Sequence, residues 1–234
     1  MEMNYWKKER YKRIILQNLT VTNGFLLLQI ILFLLMTVSG GSTNPSVLVY
    51  YGAKYNPYIV FLHQYWRFVT PIFLHIGLEH ILMNSIFLYF LGNQLESIIG
   101  SGRFFIIYLL SGIIGNVASF AFSPSISAGA STSLFGLFGI ILYLSTKHGY
   151  IRFFKELGMQ YKALLIMNLA SSFLLSRVDL YGHIGGLVGG YLATAIFSFS
   201  GDRYTKVYQR IIFACLYAIV FIVLFFIGTK KVVL

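Results

Sequence analysis

The chain has 234 residues, 57% of them hydrophobic and 18% aromatic, while only 11% carry charge. That balance excludes a water-soluble globular domain and points to a polytopic membrane protein. The net charge of +11 does not indicate nucleic-acid binding, because the basic residues collect between apolar runs, where retention on the cytoplasmic side accounts for them.

Residues 1–22 hold Lys7, Lys8, Arg10, Lys12 and Arg13 among Tyr5, Trp6 and Tyr11, the composition of a segment resting on the inner membrane surface. An apolar run follows at 24–38, and Val38-Ser39-Gly40 offers small residues for signal cleavage. The run is about long enough to span and its basic preface is long for a signal peptide, so an uncleaved helix is expected. Six more apolar runs occupy 80–95, 104–122, 131–144, 163–175, 182–199 and 211–228. Several fall short of the ~20 residues an independent span needs, so their helices must be covered by neighbours or begin below the surface. The longest connection, 41–79, carries Pro45, Pro57 and Pro71 with many aromatics. It is too apolar for a free linker, and 61–73 is expected partly in the interface or against the bundle. Cys215, the single cysteine, lies in the last run and reads as a small packing residue.

With the N-terminus cytoplasmic, inner segments hold thirteen Lys and Arg residues and outer segments five: Lys54, Arg67, Arg177, Lys230 and Lys231. Runs two, four and six then all travel inward from the outer face. His80 and Asn84 open run two, Ser131 opens run four and His183 opens run six, so all four share the outer leaflet. From Ser131 to Leu144 a helix rises roughly 20 Å, against a hydrocarbon core of about 30 Å. Anchored at its inner end by Lys147, it would begin about 10 Å below the outer surface. Residues 123–130 must then descend into the membrane, which requires an aqueous cavity opening outward.

A serine hydroxyl needs a base to take its proton, and a neutral imidazole serves near pH 7, so Ser131 and His183 form a candidate dyad. Gly136 and Gly139 on one run, and Gly182, Gly185, Gly186, Gly189 and Gly190 on the other, would let the two helices approach closely. Acyl transfer also needs donors for a developing oxyanion. His80 and Asn84, four residues apart, share a helical face, and the Ser131 amide stands at a helix start. Phe135, one turn beyond Ser131, could stack on the His183 imidazole.

These residues resemble the rhomboid family of intramembrane serine proteases. The likeness runs from Trp66-Arg67 through His75, His80, Asn84 and Glu96 to Gly129-Ala130-Ser131 with Phe135-Gly136, and on to Gly182-His183-Ile184-Gly185-Gly186. It implies Ser131 as nucleophile, His183 as base, His80 and Asn84 as oxyanion donors, and a six-helix core to which run seven is a C-terminal addition. Thr132 departs from the family's usual glycine after the nucleophile and could narrow the cavity or reshape the oxyanion site.

The remaining polar residues receive quieter readings. His75 and His80 do not share a helical face and no His-Glu-x-x-His pattern exists, so no metal site is expected. Asp179, with Arg177 and Tyr181, reads as part of a solvated outer loop rather than a third catalytic member. Glu96 and Arg67 read as structural anchors, Glu79 sits at the cavity rim, and His63 and His148 receive no role. Residues 157–180 form a candidate mobile wall, because the fifth apolar run within them is short and lacks the glycine packing of its neighbours.

The expected architecture is an all-α polytopic membrane protein in three parts. These are a cytoplasmic basic segment 1–22, a rhomboid-like six-helix catalytic core 23–200, and residues 201–234 as cytoplasmic loop, seventh transmembrane helix and short tail. The expected function is a serine endopeptidase that needs no cofactor and cleaves membrane proteins near the outer end of their transmembrane helices. Small or helix-breaking residues are expected at the cut, and the composition suits a bacterial plasma membrane. Two rival readings are an inactive relative that captures transmembrane helices, and a small transporter using the polar cavity as a solute site.

Overall fold

The computed structural model of the chain describes residues 20–175, 178–199 and 201–234. Lys7, Lys8, Arg10, Lys12, Arg13 and Arg177, which entered the charge comparison, lie outside the described residues. Within them the regular structure is helical, with one isolated antiparallel bridge between Lys54 and Ser127.

Helix α1 (Val21–Val38) starts where the Thr20 side chain accepts the Asn23 amide at 3.1 Å, satisfying a donor the helix itself cannot. The long connection folds into α2 (Pro45–Tyr51), α3 (Asn56–Phe61) and two 3-10 turns, Tyr65–Phe68 and Thr70–Phe73. Both short helices carry proline in the first turn, where its missing N–H leaves no bond unmade. A helical rod follows: α4 (Leu78–Phe87), a π-turn at Leu88–Gly92 and α5 (Asn93–Ile99). Gly100, at φ 88°, ends it. Then come α6 (Ser101–Phe122), α7 (Ser131–Lys147), α8 (Arg152–Leu174), α9 (Leu180–Phe197) and α10 (Val207–Val233).

The apolar runs read from the sequence fall on these helices, with 80–95 spread over α4, the π-turn and α5 and with 163–175 and 182–199 running one and two residues past α8 and α9. Helix α8 begins eleven residues before its run. Residues 152–162 form an amphipathic start: Arg152 and Glu156 pair at 2.7 Å on the exposed side while Phe154 and Leu157 are buried.

Among the described residues, four helices are long and apolar enough to cross a membrane: α1, α6, α9 and α10. In α10 the mean hydropathy is 3.0, yet only 6% of its most apolar stretch is buried by protein. In water that surface would be prohibitively exposed, so lipid must cover it, and the chain is a multi-pass membrane protein.

At the centre, α9 is wedged between α6 and α7 with backbones nearly touching. A Cβ on Gly190 would stand 2.2 Å from the Gly136 carbonyl oxygen, and one on Gly185 would stand 2.5 Å from Ala118 Cβ. The glycines thus permit a crossing that any side chain would push apart. Phe120 occupies the corresponding place at Gly228 of α10, and Tyr217 Oη donates to the Leu110 carbonyl at 2.9 Å.

Two buried charges staple the periphery. Glu96 accepts the amides of Val21 and Thr22 at 2.8 Å each, the Thr22 hydroxyl at 2.7 Å and the Ser101 hydroxyl at 2.6 Å. It ties the start of α1 to the start of α6 and completes the orphan donors of a helix N-terminus with negative charge. Arg67 donates to the carbonyls of Val49 and Ala53 and to Gln64 Oε1, and its guanidinium lies 5.1 Å over the Tyr58 ring. Residues 61–73 are thereby held against the bundle: Phe68 and Ile72 are buried, while Tyr65 and Trp66 remain exposed.

Candidate active site

Ser131 is the first residue of α7, at a start with no side-chain cap, so its amide belongs to the set that lacks intrahelical partners. The backbone leading to it is pinned from several sides. Gly129 donates to the Pro71 carbonyl at 2.9 Å, and the Ala130 amide donates to His75 Nε2 at 3.3 Å. Lys54 and Ser127 exchange backbone hydrogen bonds at 2.9 and 3.2 Å, and Lys54 Nζ donates to the Ser123 carbonyl at 2.9 Å. Lys54 is fully buried, and burial pulls its pKa down to about 8 against the partly opposing pull of Asp179.

Asp179 caps α9. Its carboxylate accepts the Gly182 amide at 2.9 Å and the hydroxyls of Ser127 at 2.8 Å and Ser119 at 2.5 Å. This corrects the reading of Asp179 as part of a solvated loop. A carboxylate at a helix N-terminus finds backbone donors, and here two neighbouring segments add theirs. The result joins α6, the segment before Ser131 and the turn before His183 into one unit.

On the second turn of α9, His183 is 6% exposed and lies flat on Phe135, with ring centroids 4.1 Å apart and planes 17° apart. Its Nδ1 is 2.7 Å from Ser172 Oγ on α8. Phe135 is one helical turn beyond Ser131, so the stacking brings α9 onto the face of α7 that carries the serine. His80 approaches from α4: a Cβ on Gly129 would stand 2.8 Å from His80 Nε2 and 3.6 Å from Ser131 Oγ. A side chain at 129 would occupy the space between the imidazole and the serine.

The donor geometry on α4 has a definite polarity. The Ile76 amide donates to His80 Nδ1 at 3.4 Å, which leaves Nε2 as the protonated nitrogen of a neutral ring, beside Gly129. Asn84 is buried, and its Nδ2 has no hydrogen-bond partner among the described residues. A buried donor without a partner costs roughly 1–3 kcal/mol, a cost recovered when an acceptor arrives. Ser131 Oγ likewise makes no hydrogen bond among the described residues, and no cluster of three or more metal-ligating side chains occurs there.

Thr132 points elsewhere. It is 2% exposed, and its Cβ and Cγ2 pack against Gly115 and Gly182 at the crossing of α6, α7 and α9. The extra bulk after Ser131 is accommodated by facing glycines rather than by the cavity. Three residues that the sequence left without a role at this site hold it together: His75, Lys54 and Ser172. Lys54, the lone charge in an otherwise apolar stretch, was the visible signal; a serine in a helix carries none.

This architecture defines a multi-pass helical membrane protein with a polar, partly unpaired set of side chains gathered at one end. The rhomboid domain model matches residues 62–200, more than half of the chain, and the chain belongs to the rhomboid family. It is 45% identical to Rhomboid protease GluP of Bacillus subtilis over 176 residues, covering 75% of this chain and 34% of that protein. It is 37% identical to Putative rhomboid protease YdcA of the same organism over 136 residues, 55% of this chain and 65% of that protein. Rhomboid-like protease 3 of Toxoplasma gondii is 30% identical over 193 residues, 80% of this chain and 73% of that protein. The chain thus spans about a third of the first of these relatives and just under two thirds of the second.

Proposed function

We propose that the chain is an intramembrane serine endopeptidase in which His183 takes the proton of Ser131 and the hydroxyl oxygen attacks a peptide carbonyl. The observation that carries this reading is the stacking of His183 on Phe135, one turn from Ser131, with the unpaired Asn84 amide buried one turn along α4 from His80. The tetrahedral oxyanion would be met by the Ser131 amide, His80 Nε2–H and Asn84 Nδ2–H, donors held in place before the reaction begins. His183 would then protonate the leaving amine, and water would release the acyl group by the reverse sequence.

A helix hides its own carbonyls, so a substrate must unwind locally to reach Ser131. Small or helix-breaking residues at the cut follow from this. The thinly packed outer half of α8 supports its role as the movable wall: beyond Leu157, Ser172 is its one buried residue. Described basic residues divide eight at the end of Lys147 and four at the end of Ser131, which supports an N-terminus inside and the site facing outward. A bacterial plasma membrane suits this arrangement.

Labelling with a fluorophosphonate probe tests the reading. Modification of Ser131 that disappears in both Ser131→Ala and His183→Ala is expected. If the purified protein is unreactive where GluP reacts, or if modification persists in His183→Ala, the dyad is wrong. Solute transport that survives Ser131→Ala would indicate a transporter instead.

A further inference from the structure

We propose that Ser172 is a positioning residue for His183, fixing the imidazole as the tautomer that can act as a base toward Ser131. The inference rests on the endopeptidase reading and adds a third polar group, supplied by α8, to the pair on α7 and α9.

Ser172 is 4% exposed, and its Oγ lies 2.7 Å from two atoms: the Asn168 carbonyl oxygen one turn back on α8, and His183 Nδ1. A hydroxyl has one proton to donate, and a carbonyl oxygen can only accept. Both contacts are satisfied together only when the Ser172 proton goes to Asn168 and Nδ1–H donates to Ser172 Oγ. A neutral imidazole protonated at Nδ1 has its lone pair at Nε2, the nitrogen that must take a proton from Ser131. Were Nδ1 bare, the hydroxyl would have to turn to it and abandon the Asn168 carbonyl, leaving two oxygen acceptors 2.7 Å apart in a buried site. A carboxylate commonly does this work, but the nearest one, Asp179, is committed to Gly182, Ser119 and Ser127. Stacking on Phe135 fixes the plane of the ring, and Ser172 fixes which edge carries the proton. Since Ser172 rides on α8, His183 is fully oriented only while α8 is docked.

The test uses the full chain in detergent or liposomes. Saturation kinetics with a fluorophosphonate separate the rate of Ser131 modification from probe binding. Ser172→Ala is expected to slow modification roughly 10- to 100-fold, as loss of an orienting partner of a histidine does, with probe affinity within about twofold. Ser172→Thr keeps a hydroxyl that can bond one turn back and is expected to restore most of the rate. Equal rates for wild type and Ser172→Ala, or equal slowing by Ala and Thr, would overturn the proposal. Nitrogen-15 NMR of histidine-labelled protein, assigned by difference with His183→Gln, reads the tautomer directly. Nδ1–H in the wild type and a mixture in Ser172→Ala are expected, and Nε2–H in the wild type overturns the proposal whether or not Ser172→Ala folds. A wild type that is unreactive yet holds Nδ1–H would instead count against the endopeptidase reading alone.

Discussion

The His183 imidazole and the Phe135 ring lie 4.1 Å apart and nearly parallel, so the orientation of a histidine on α9 is set by an aromatic residue on α7. Such pairs contribute about 0.5–1.5 kcal/mol beyond simple burial. Phe135→Leu should therefore slow fluorophosphonate modification of Ser131 about two- to tenfold, whereas Phe135→Tyr, which keeps the ring, should stay near wild type. Comparable rates for Leu and Phe at this position would mean that stacking does not orient the base.

Asn84 separates activity from stability. Its Nδ2 is buried with no partner, so removing it should not weaken the resting fold. Asn84→Ala should lower peptide-bond cleavage about 100- to 1000-fold, the usual effect of losing an oxyanion donor, while the unfolding midpoint stays level or rises. A matching fall in midpoint would assign Asn84 to the fold instead.

Gly186 is the tightest point of the helix crossing, since a Cβ there would stand 1.9 Å from the Thr132 carbonyl oxygen. That contact is with backbone, so α7 and α9 must separate. Gly186→Ala is expected to destabilise by about 1–3 kcal/mol and, by shifting His183 relative to Ser131, to suppress modification more than the unfolded fraction alone explains. Unfolding curves and modification rates measured on the same preparation check this.

Glu96 receives four donors from two elements. In Glu96→Gln the charge is lost and one oxygen is replaced by an amide NH2 that faces donors. The unfolding free energy should drop by about 3 kcal/mol, with the first turn of α1 gaining hydrogen exchange ahead of the bundle. Uniform exchange across all helices would place the effect elsewhere.

Lys54 gives a pH signature. Its pKa is about 8 in the folded chain and near 10.5 when unfolded, with burial as the main cause. The unfolded state binds more protons between these values, so this residue makes stability rise with pH from about 8 to 10.5, and the gain is lost as pH falls through 8. Wild type minus Lys54→Met, followed by thermal unfolding across that range, should show the slope. A flat difference would mean that Lys54 is solvated.

What could be read along the chain was whatever repeats locally. Apolar runs mark helices because every residue facing lipid must be apolar, and the alternating direction of successive spans puts His80, Asn84, Ser131 and His183 at one end without knowledge of a single contact. The family likeness was visible for the same reason, since its motifs are short and contiguous. The amphipathic start of α8 escaped because charges there interrupt the apolar count, although Phe154 and Leu157 still face inward.

Which polar atoms meet was decided only by the tertiary structure. Asp179 is a cap shared by three segments, Lys54 braces the segment before Ser131, and Thr132 turns into a glycine-lined crossing. Ser172 meets His183 through the rotation of one helix about its axis. Helical phase and depth come from packing against neighbours, not from the composition of the helix itself, so hydropathy can place a residue at one end of a bundle but cannot say what its side chain touches.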